Sequence, residues 1–508
     1  MNPALLLLFV IVPLFAAGLT VVVRQAVLDR VLFLAVPLAT ALGGVLLLGV
    51  HARPEHQVLA HNVGSFVPGI AIPFVSDTLT ALMLALTGVT TAVCGWFLCV
   101  TGEDRYRFVS PLILMLTTGV NGALLTGDLF NLFVFVEVML LPSYALIAVT
   151  GTWRRLGIGR LFILVNLLTS TFLLVSVGWV YAAAGTVNLA ALAGQGAADP
   201  RIGVALALVL FSLAIKGGAV PLHGWLPSAY PETSAGIMAL FSALHTKVAL
   251  YALYRIYAVG FGEAAAGWVG WALVAVVVAT MLVGAVSTAA AARLRVAFAF
   301  QMVTGVGHIL LGLVLFTGAS LAAGLFYLGH HVVTVGGLLL LAGAIEQTYG
   351  SGRYDRLSGL MRRDRLVAVG MTLGLFSLVG LPPTSGLWGK VGLVLAAAQA
   401  RPVLAAVLLA ALVLAALASI MGLQRLWEQV FWGPPLEEYS PDDPQLGRGA
   451  RTVLPAGERI PGRLAAPGLA LIAVSVLMFL FGGQLYPIAQ SAGEALLQPG
   501  AYAEAVLR

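Results

Sequence analysis

Charge is what this sequence has least of. Of its 508 residues only 9% are Asp, Glu, Lys or Arg, while 60% are hydrophobic. A soluble domain carries about a quarter charged residues. So few charges cannot face water around so much apolar surface, which excludes a soluble fold and makes lipid the solvent for most side chains. Cysteine is nearly absent as well. Cys94 and Cys99 sit five residues apart on one apolar segment, which excludes a disulfide framework, a structural zinc site and an iron–sulfur cluster, and reads as packing. There is no Walker loop and no dinucleotide-binding glycine fingerprint after a strand. Nothing in the chain is built to bind ATP or carry electrons, and no cofactor is expected. The net charge of +6 reflects loops at a membrane surface and does not point to nucleic acid.

What is present is a succession of apolar runs. A bilayer core takes about 20 apolar residues per helix, and this ruler predicts an all-α polytopic membrane protein with about 14 transmembrane helices. They fall near 3–23, 31–50, 76–100, 109–126, 129–150, 160–184, 202–222, 232–258, 267–292, 296–317, 320–346, 366–400, 402–430 and 464–488. The first, Pro3 to Val23, has no basic stretch before it and no small-residue cleavage pattern after it, so it reads as a span and not a signal peptide. The twelfth is too long for one straight crossing. Nineteen arginines fall in loops after odd-numbered segments and four (Arg53, Arg201, Arg255 and Arg401) in loops after even-numbered ones. The positive-inside rule then puts both termini outside. Residues 431–463, rich in Pro, Asp, Glu and Arg, form a cytoplasmic loop too short for a domain.

Lysine is the scarcest of the basic residues. The 27 basic residues include only three lysines, Lys216, Lys247 and Lys390, and each lies in an apolar segment. Arginine stays charged under protein conditions, whereas a buried lysine can release its proton. The choice of residue therefore points to titratable groups inside the membrane. Glu137 is the one acidic residue in the middle of a predicted span. Charges at that depth cost about 2.5–3.5 kcal/mol each on insertion scales, so they mark pathways or pair. A static Glu–Lys pair joining helices would account for only one of the three lysines.

Two lysine segments are also interrupted. One reads Lys216-Gly217-Gly218-Ala-Val-Pro221-Leu-His-Gly-Trp-Leu-Pro227, the other Gly380-Leu-Pro382-Pro383-Thr-Ser-Gly386-Leu-Trp-Gly-Lys390. Proline removes a backbone donor and glycine frees the chain, so both helices are expected to open there. Open backbone at membrane depth is tolerated where it is buried or lines water. The two breaks lie in segments seven and twelve. Five spans of separation inverts one copy relative to the other, which predicts two inverted five-helix repeats with matched broken helices around a transport site. The expected organisation is 1–108 (helices one to three), 109–258 (first repeat), 267–430 (second repeat), the loop 431–463, and 464–508 (last helix and tail).

The histidines are candidate relays. His245 precedes Lys247 by two residues and so points to another face of the helix. His308 lies in the tenth segment, and His330 and His331 in the eleventh. Neutral imidazoles at this depth suit proton transfer near physiological pH, or hydrogen bonding between helices. Adjacent helical histidines diverge and lack acidic or thiol companions, so no metal site is expected.

These residues together resemble the antiporter-like membrane subunits shared by Mrp-type cation/proton antiporters and respiratory complex I. The motifs are Gly127 to Glu137, Lys216 to Pro227, Ala243-Leu-His-Thr-Lys247 and Gly380 to Lys390. The first of them looks most like the D-type Mrp subunits. The resemblance implies that Glu137 and Lys216 pair in a first half-channel, that Lys247 is the central relay, and that Lys390 ends a second half-channel. It implies a secondary transporter subunit, not an enzyme, in the inner membrane of a bacterium. Protons would be exchanged for Na⁺ by a hetero-oligomer with Mrp subunits A, B, C, E, F and G. The alternative is a pump subunit of a complex I-like or membrane hydrogenase assembly, and a scaffold whose charges lock helices together is a third reading. One departure stands out: the family's lysine in the eleventh helix, four residues after a histidine, falls on Val335. His330, His331, Thr334 or water would then bridge from Lys247 toward Lys390.

Overall fold

A computed structural model describes residues 2–23, 25–53, 57–67, 69–149, 153–439, 441, 452–455 and 457–508. Among them, twelve helices are long and apolar enough to cross a membrane, and three shorter apolar helices accompany them. In chain order the main helices are α1 (Leu8–Val22), α2 (Ala26–His51), α3 (Thr78–Thr101), α4 (Val109–Leu125), α5 (Leu129–Ala148) and α6 (Trp153–Ala184). They continue with α7 (Pro200–Gly217), α8 (Ala235–Gly260), α9 (Gly267–Ala290), α10 (Leu294–Leu315) and α11 (Gly318–Tyr349). The chain finishes with α12 (Arg365–Val379), α13 (Gly386–Ala398), α14 (Pro402–Val430), α15 (Gly462–Leu480), α16 (Gly482–Leu496) and α17 (Pro499–Leu507).

Helix starts follow their capping residues. Asp77 accepts from the Thr80 amide, Asp128 from Asn131 and Ser234 from Ile237, each satisfying an N–H that the helix itself leaves open. Thr317 and Ser320 form a reciprocal capping box at the start of α11. Elsewhere small residues set the spacing. Gly44 and Gly88 lie where α2 and α3 meet, and a methyl group on Gly44 would stand 2.5 Å from the Ala85 amide. Such small-residue seams let backbones approach where lipid offers no hydrophobic drive between helices.

The least apolar of the twelve candidate spans, α8, is also wholly buried, as is the membrane-length window of α11. Two thirds of the corresponding windows of α9 and α14 are open to the outside. The two central pillars, α8 and α11, carry Lys247, Arg255, His245, His330 and His331, and the most apolar helices form the lipid-facing shell.

Both sequence-predicted breaks are present. α7 ends at Gly217, Gly218 takes φ +85°, and helical structure resumes as a short helix at Trp225–Ala229. The twelfth segment is two helices, α12 and α13, parted at Gly380 with φ +94°. Only glycine adopts these left-handed values freely. In both breaks a proline follows three residues after that glycine, Pro221 and Pro383.

Several expectations need amendment. The all-α class stands, but two short strand pairs join the helices: Leu59–Asn62 pairs antiparallel with Pro73–Ser76, and Glu438–Tyr439 with Thr452–Val453. The last segment stops at Leu480, and what reads as a tail is two further helices, α16 and α17. Arg24, Arg448 and Arg451 from the charge count, and residues 440, 442–451 and 456 of the 431–463 loop, lie outside the described residues. Arg255 is not a loop residue. It sits in α8, 5% exposed, and its guanidinium makes a two-pronged ion pair with Asp77 at 2.6 and 2.7 Å. The Tyr251 and Tyr502 rings lie 5.6 and 5.1 Å from it. Asp77 thus caps α3, anchors α8 and, through Arg255, holds α17.

Breaking one side of a buried pair strands the other charge at about 3–5 kcal/mol. Arg255→Ala is expected to lower the thermal midpoint of the detergent-solubilised protein steeply, and Asp77→Ala/Arg255→Ala to recover most of the loss. Equal midpoints for the single and double variants would contradict the pairing.

Candidate functional site

The three lysines occupy three different environments. Lys216, in the last turn of α7, donates to the Ser170 hydroxyl at 2.8 Å and to the Asn166 carbonyl at 3.4 Å, both on α6. Glu137, half-buried on α5, is within electrostatic range of Lys216 but makes no ion pair with it among the described residues. One Glu137 carboxylate oxygen is buried without a hydrogen-bond partner. The expected contact pair is therefore open in this structure, because α6 supplies the nearer oxygens.

Beside Lys216 lies a cavity of about 10 Å³ bounded by Met139, Asn166, Trp225, Val248 and His245. That is on the order of the space one water needs. His245 lies beyond it. The Ser143 hydroxyl donates to the Met139 carbonyl at 2.8 Å, so its oxygen is left to accept from His245 Nε2, also at 2.8 Å. His245 Nδ1 then accepts from the Tyr230 hydroxyl at 3.2 Å. The surrounding hydroxyls fix the neutral ring with its proton on Nε2. The ring also stacks on Phe241, centroids 4.4 Å apart.

Lys247, fully buried on α8, donates to Thr246 Oγ1 at 3.1 Å. It faces away from His245, as the two-residue spacing requires, and lies within electrostatic reach of His331 on α11. His331 Nε2 donates to the Gln301 carbonyl at 3.4 Å and His308 Nδ1 to the Thr304 carbonyl at 2.9 Å. His331 has room because its ring occupies the place where any side chain on Gly305 would stand.

Tyr327 joins these groups. Its ring centroid lies 4.9 Å from His308, 5.0 Å from His330 and 6.1 Å from His331. Each of the three histidines keeps one buried ring nitrogen without a partner: His308 Nε2, His330 Nε2 and His331 Nδ1. Buried polar atoms are nearly always satisfied by protein or water, so these three nitrogens leave the cluster with unused hydrogen-bonding capacity. Val335, where a lysine is expected, is a fully buried core residue.

The other nitrogen of His330 opens onto a cage of hydroxyls. His330 Nδ1 lies 2.9 Å from Ser385 Oγ, 3.2 Å from Thr334 Oγ1 and 3.3 Å from Ser377 Oγ. Ser475 of α15 closes the cage at 2.7 Å from Ser385, 2.9 Å from Ser377 and 3.2 Å from Thr334. Lys390, on α13, reaches back across the break to donate to the Val379 carbonyl at 2.9 Å. That carbonyl belongs to the open last turn of α12, whose negative end favours a cation. His308 and His330 both lie within electrostatic range of Lys390.

The predicted residues thus fall into two groups. Glu137, Lys216 and His245 gather between α5, α6, α7 and α8. Lys247, His308, His330, His331, Thr334 and Lys390 gather between α8, α10, α11, α12 and α13. Ser143, Ser170, Tyr230, Tyr327, Ser377 and Ser475 were not anticipated. Single hydroxyls in apolar helices carry no spacing signal, and only Ser385 lies within a motif read from the sequence. Among the described residues no cluster of three or more His, Cys, Asp or Glu is arranged for a metal ion.

Residues 126–417 match the family described as NADH:quinone oxidoreductase/Mrp antiporter, transmembrane. The chain is 30% identical to the D-type subunit of the Na(+)/H(+) antiporter of Bacillus subtilis over 98% of both chains. It is 32% identical to the N-type subunit of the NADH-quinone oxidoreductase of Desulforudis audaxviator over 96% of this chain and 97% of that one. Among solved structures it resembles a chain of the Mrp complex from Dietzia sp. DQ12-45-1b, with 41% identity, a TM-score of 0.92, and 100% of this chain and 99% of that one covered. The chain belongs to the membrane-subunit family common to NADH:quinone oxidoreductases and Mrp antiporters.

Proposed function

We propose that this chain is the D-type, proton-translocating subunit of an Mrp-type Na⁺/H⁺ antiporter in a bacterial inner membrane. The observation that carries the reading is the 41% identity to a chain of an Mrp complex over the whole length. Its partners in the lipid bilayer are the remaining Mrp subunits, A, B, C, E, F and G, and its transported ions are protons and Na⁺.

In this reading the chain crosses the membrane fourteen times. The short helix α4 forms one crossing and the broken pair α12 and α13 another, beside the twelve longer helices. Residues 109–258 and 267–430 are the two inverted five-helix repeats, supported by the Gly–x–x–Pro break that each contains. Residues 1–108, the 431–463 loop and residues 464–508 flank them. Both termini face outward, which the arginine distribution supports.

Protons load in the first half near Glu137 and Lys216. Charge there changes the balance at His245 and then at Lys247, which share α8. From Lys247 the proton passes to His331 and, around Tyr327, to His308 and His330. The hydroxyls of Thr334, Ser377, Ser385 and Ser475 extend the relay from His330, and Lys390 ends the half-channel. The open Glu137–Lys216 contact is one position of a switch whose closed position binds the ammonium directly to the carboxylate.

A second reading keeps the same relay but drives it by redox chemistry in a complex I-like assembly. The 32% identity to an N-type subunit of a quinone oxidoreductase supports it. Proteins that copurify with the chain separate the two: flavin and iron–sulfur proteins for the second reading, small membrane subunits for the first.

In everted membrane vesicles, Lys247→Met and Lys390→Ala are each expected to lower Na⁺-driven proton exchange on the order of a hundredfold, the contribution of a positioned proton-transfer group. Complex assembly should be unchanged. Full exchange with weakened assembly would instead support a scaffold. Ser475→Ala should slow exchange by about two- to tenfold, the range for one lost hydrogen bond, and Ser475→Thr should restore it. No difference between Ala and Thr would remove the hydroxyl cage from the route.

A further inference from the structure

Away from the relay, a cavity of about 510 Å³ opens where the chain enters α12 and α15. Arg362, Arg365 and Arg459 line it, and Arg463 follows immediately after the lining residue Gly462. All four guanidinium side chains are exposed, and among the described residues none has a carboxylate partner. The two other charged groups of the lining are already engaged. Arg363 donates to the carbonyls of Leu436, Pro455 and Glu458, and Asp364 accepts from the Ile460 amide and the Tyr349 hydroxyl.

The placement gathers positive charge from two helix ends as well as from side chains. α12 and α15 both begin here without a side-chain cap, so their open N–H groups point a positive end at the cavity. Basic residues occupy the first position of α12 and the second of α15, where acidic residues are favoured; Asp364 stands just before α12, but its two oxygens are taken by Tyr349 and Ile460 and neither caps the helix. An anion with several acceptor oxygens would satisfy both the helix ends and the arginines.

The apolar surroundings narrow the class of anion. Leu366, which lines the cavity, is 62% exposed, and Val369 one turn along the same helix is 57% exposed. On the other side Ile460 and Ala465 form a buried wall. A basic mouth above an exposed apolar helix face fits an amphiphile, whereas a free phosphate would leave the apolar face open. Basic pockets between membrane helices on the cytoplasmic side take anionic lipid headgroups.

We infer that this cavity is a binding site for the phosphate group of an anionic phospholipid, whose acyl chains lie along the Leu366–Val369 face. The lipid would brace the start of α12, the half-helix whose other end meets Lys390. Lipid binding there can be measured without transport, so its outcome is independent of the antiport reading.

The test uses the intact complex carrying this chain, stripped of lipid in mild detergent and examined by native mass spectrometry. Added phosphatidylglycerol should bind the wild type more tightly than phosphatidylcholine. Arg362→Gln/Arg365→Gln/Arg459→Gln should weaken phosphatidylglycerol by about a hundredfold, at roughly a factor of five for each basic residue near the surface, and leave phosphatidylcholine unchanged. In parallel, photoactivatable phosphatidylglycerol added to the wild type should crosslink to peptides containing 362–366 or 459–465, which does not depend on the variant folding. Unchanged phosphatidylglycerol affinity in the triple variant, or crosslinks confined to other peptides, would overturn the site. Displacement of the lipid by millimolar inorganic phosphate would reassign it to free phosphate, and loss of a neighbouring subunit without loss of lipid would reassign it to a protein partner.

Discussion

A polar atom below the headgroups has only the protein, or water the protein admits, to bond with. That constraint orders the rest of the structure. Opening a helix at Gly218 or Gly380 frees backbone carbonyls that lipid cannot satisfy, so each break must be enclosed and supplied with donors. Lys390 does this directly at Val379. Lys216, in the last turn before the other break, is held instead by Ser170 and Asn166. An ammonium placed as that of Lys390 is stabilised by the carbonyl that it satisfies.

The same constraint explains why α8 and α11 are the buried pillars. They carry Lys247, His245, His330, His331 and Thr334, and neither could face hydrocarbon with such a load. Helices with little polar content, such as α9 and α14, can take the lipid contact. The partition of polar residues among helices therefore decides which are central, more than the order of the helices along the chain.

Much of this was legible in the sequence, because it rests on local or periodic features. Apolar runs mark the helices, Gly and Pro mark the breaks, and three lysines stand out against a background of arginine. What stayed hidden depends on distant encounters. Arg255, near the end of an apolar run, reads as an interfacial loop residue, and its partner Asp77 lies far along the chain at the start of α3. Ser475 is one hydroxyl in an apolar helix outside both repeats, and nothing local ties it to His330. The separation of Glu137 from Lys216 depends on which helix comes nearest, and the oxygens of α6 intervene. Val335 is the converse case. Its sequence position predicts a gap; Val335 is fully buried, and two turns earlier on the same helix three imidazoles gather around Tyr327.

The hydroxyl cage around His330 has a property that a single titratable side chain lacks. Each serine or threonine there has one hydroxyl hydrogen to donate, so any row of them traced through the cage from His330 to Ser475 is oriented one way or the other. A proton that enters at one end and leaves at the other reverses every bond in the row. A second proton cannot follow in the same direction until each hydroxyl has swung back. Such a row has memory, and it separates the hop of charge from the slower turning that rearms it. If the proposed route runs through them, the four hydroxyls beside His330 would make this end of it a ratchet tooth, advanced by passage and reset by rotation.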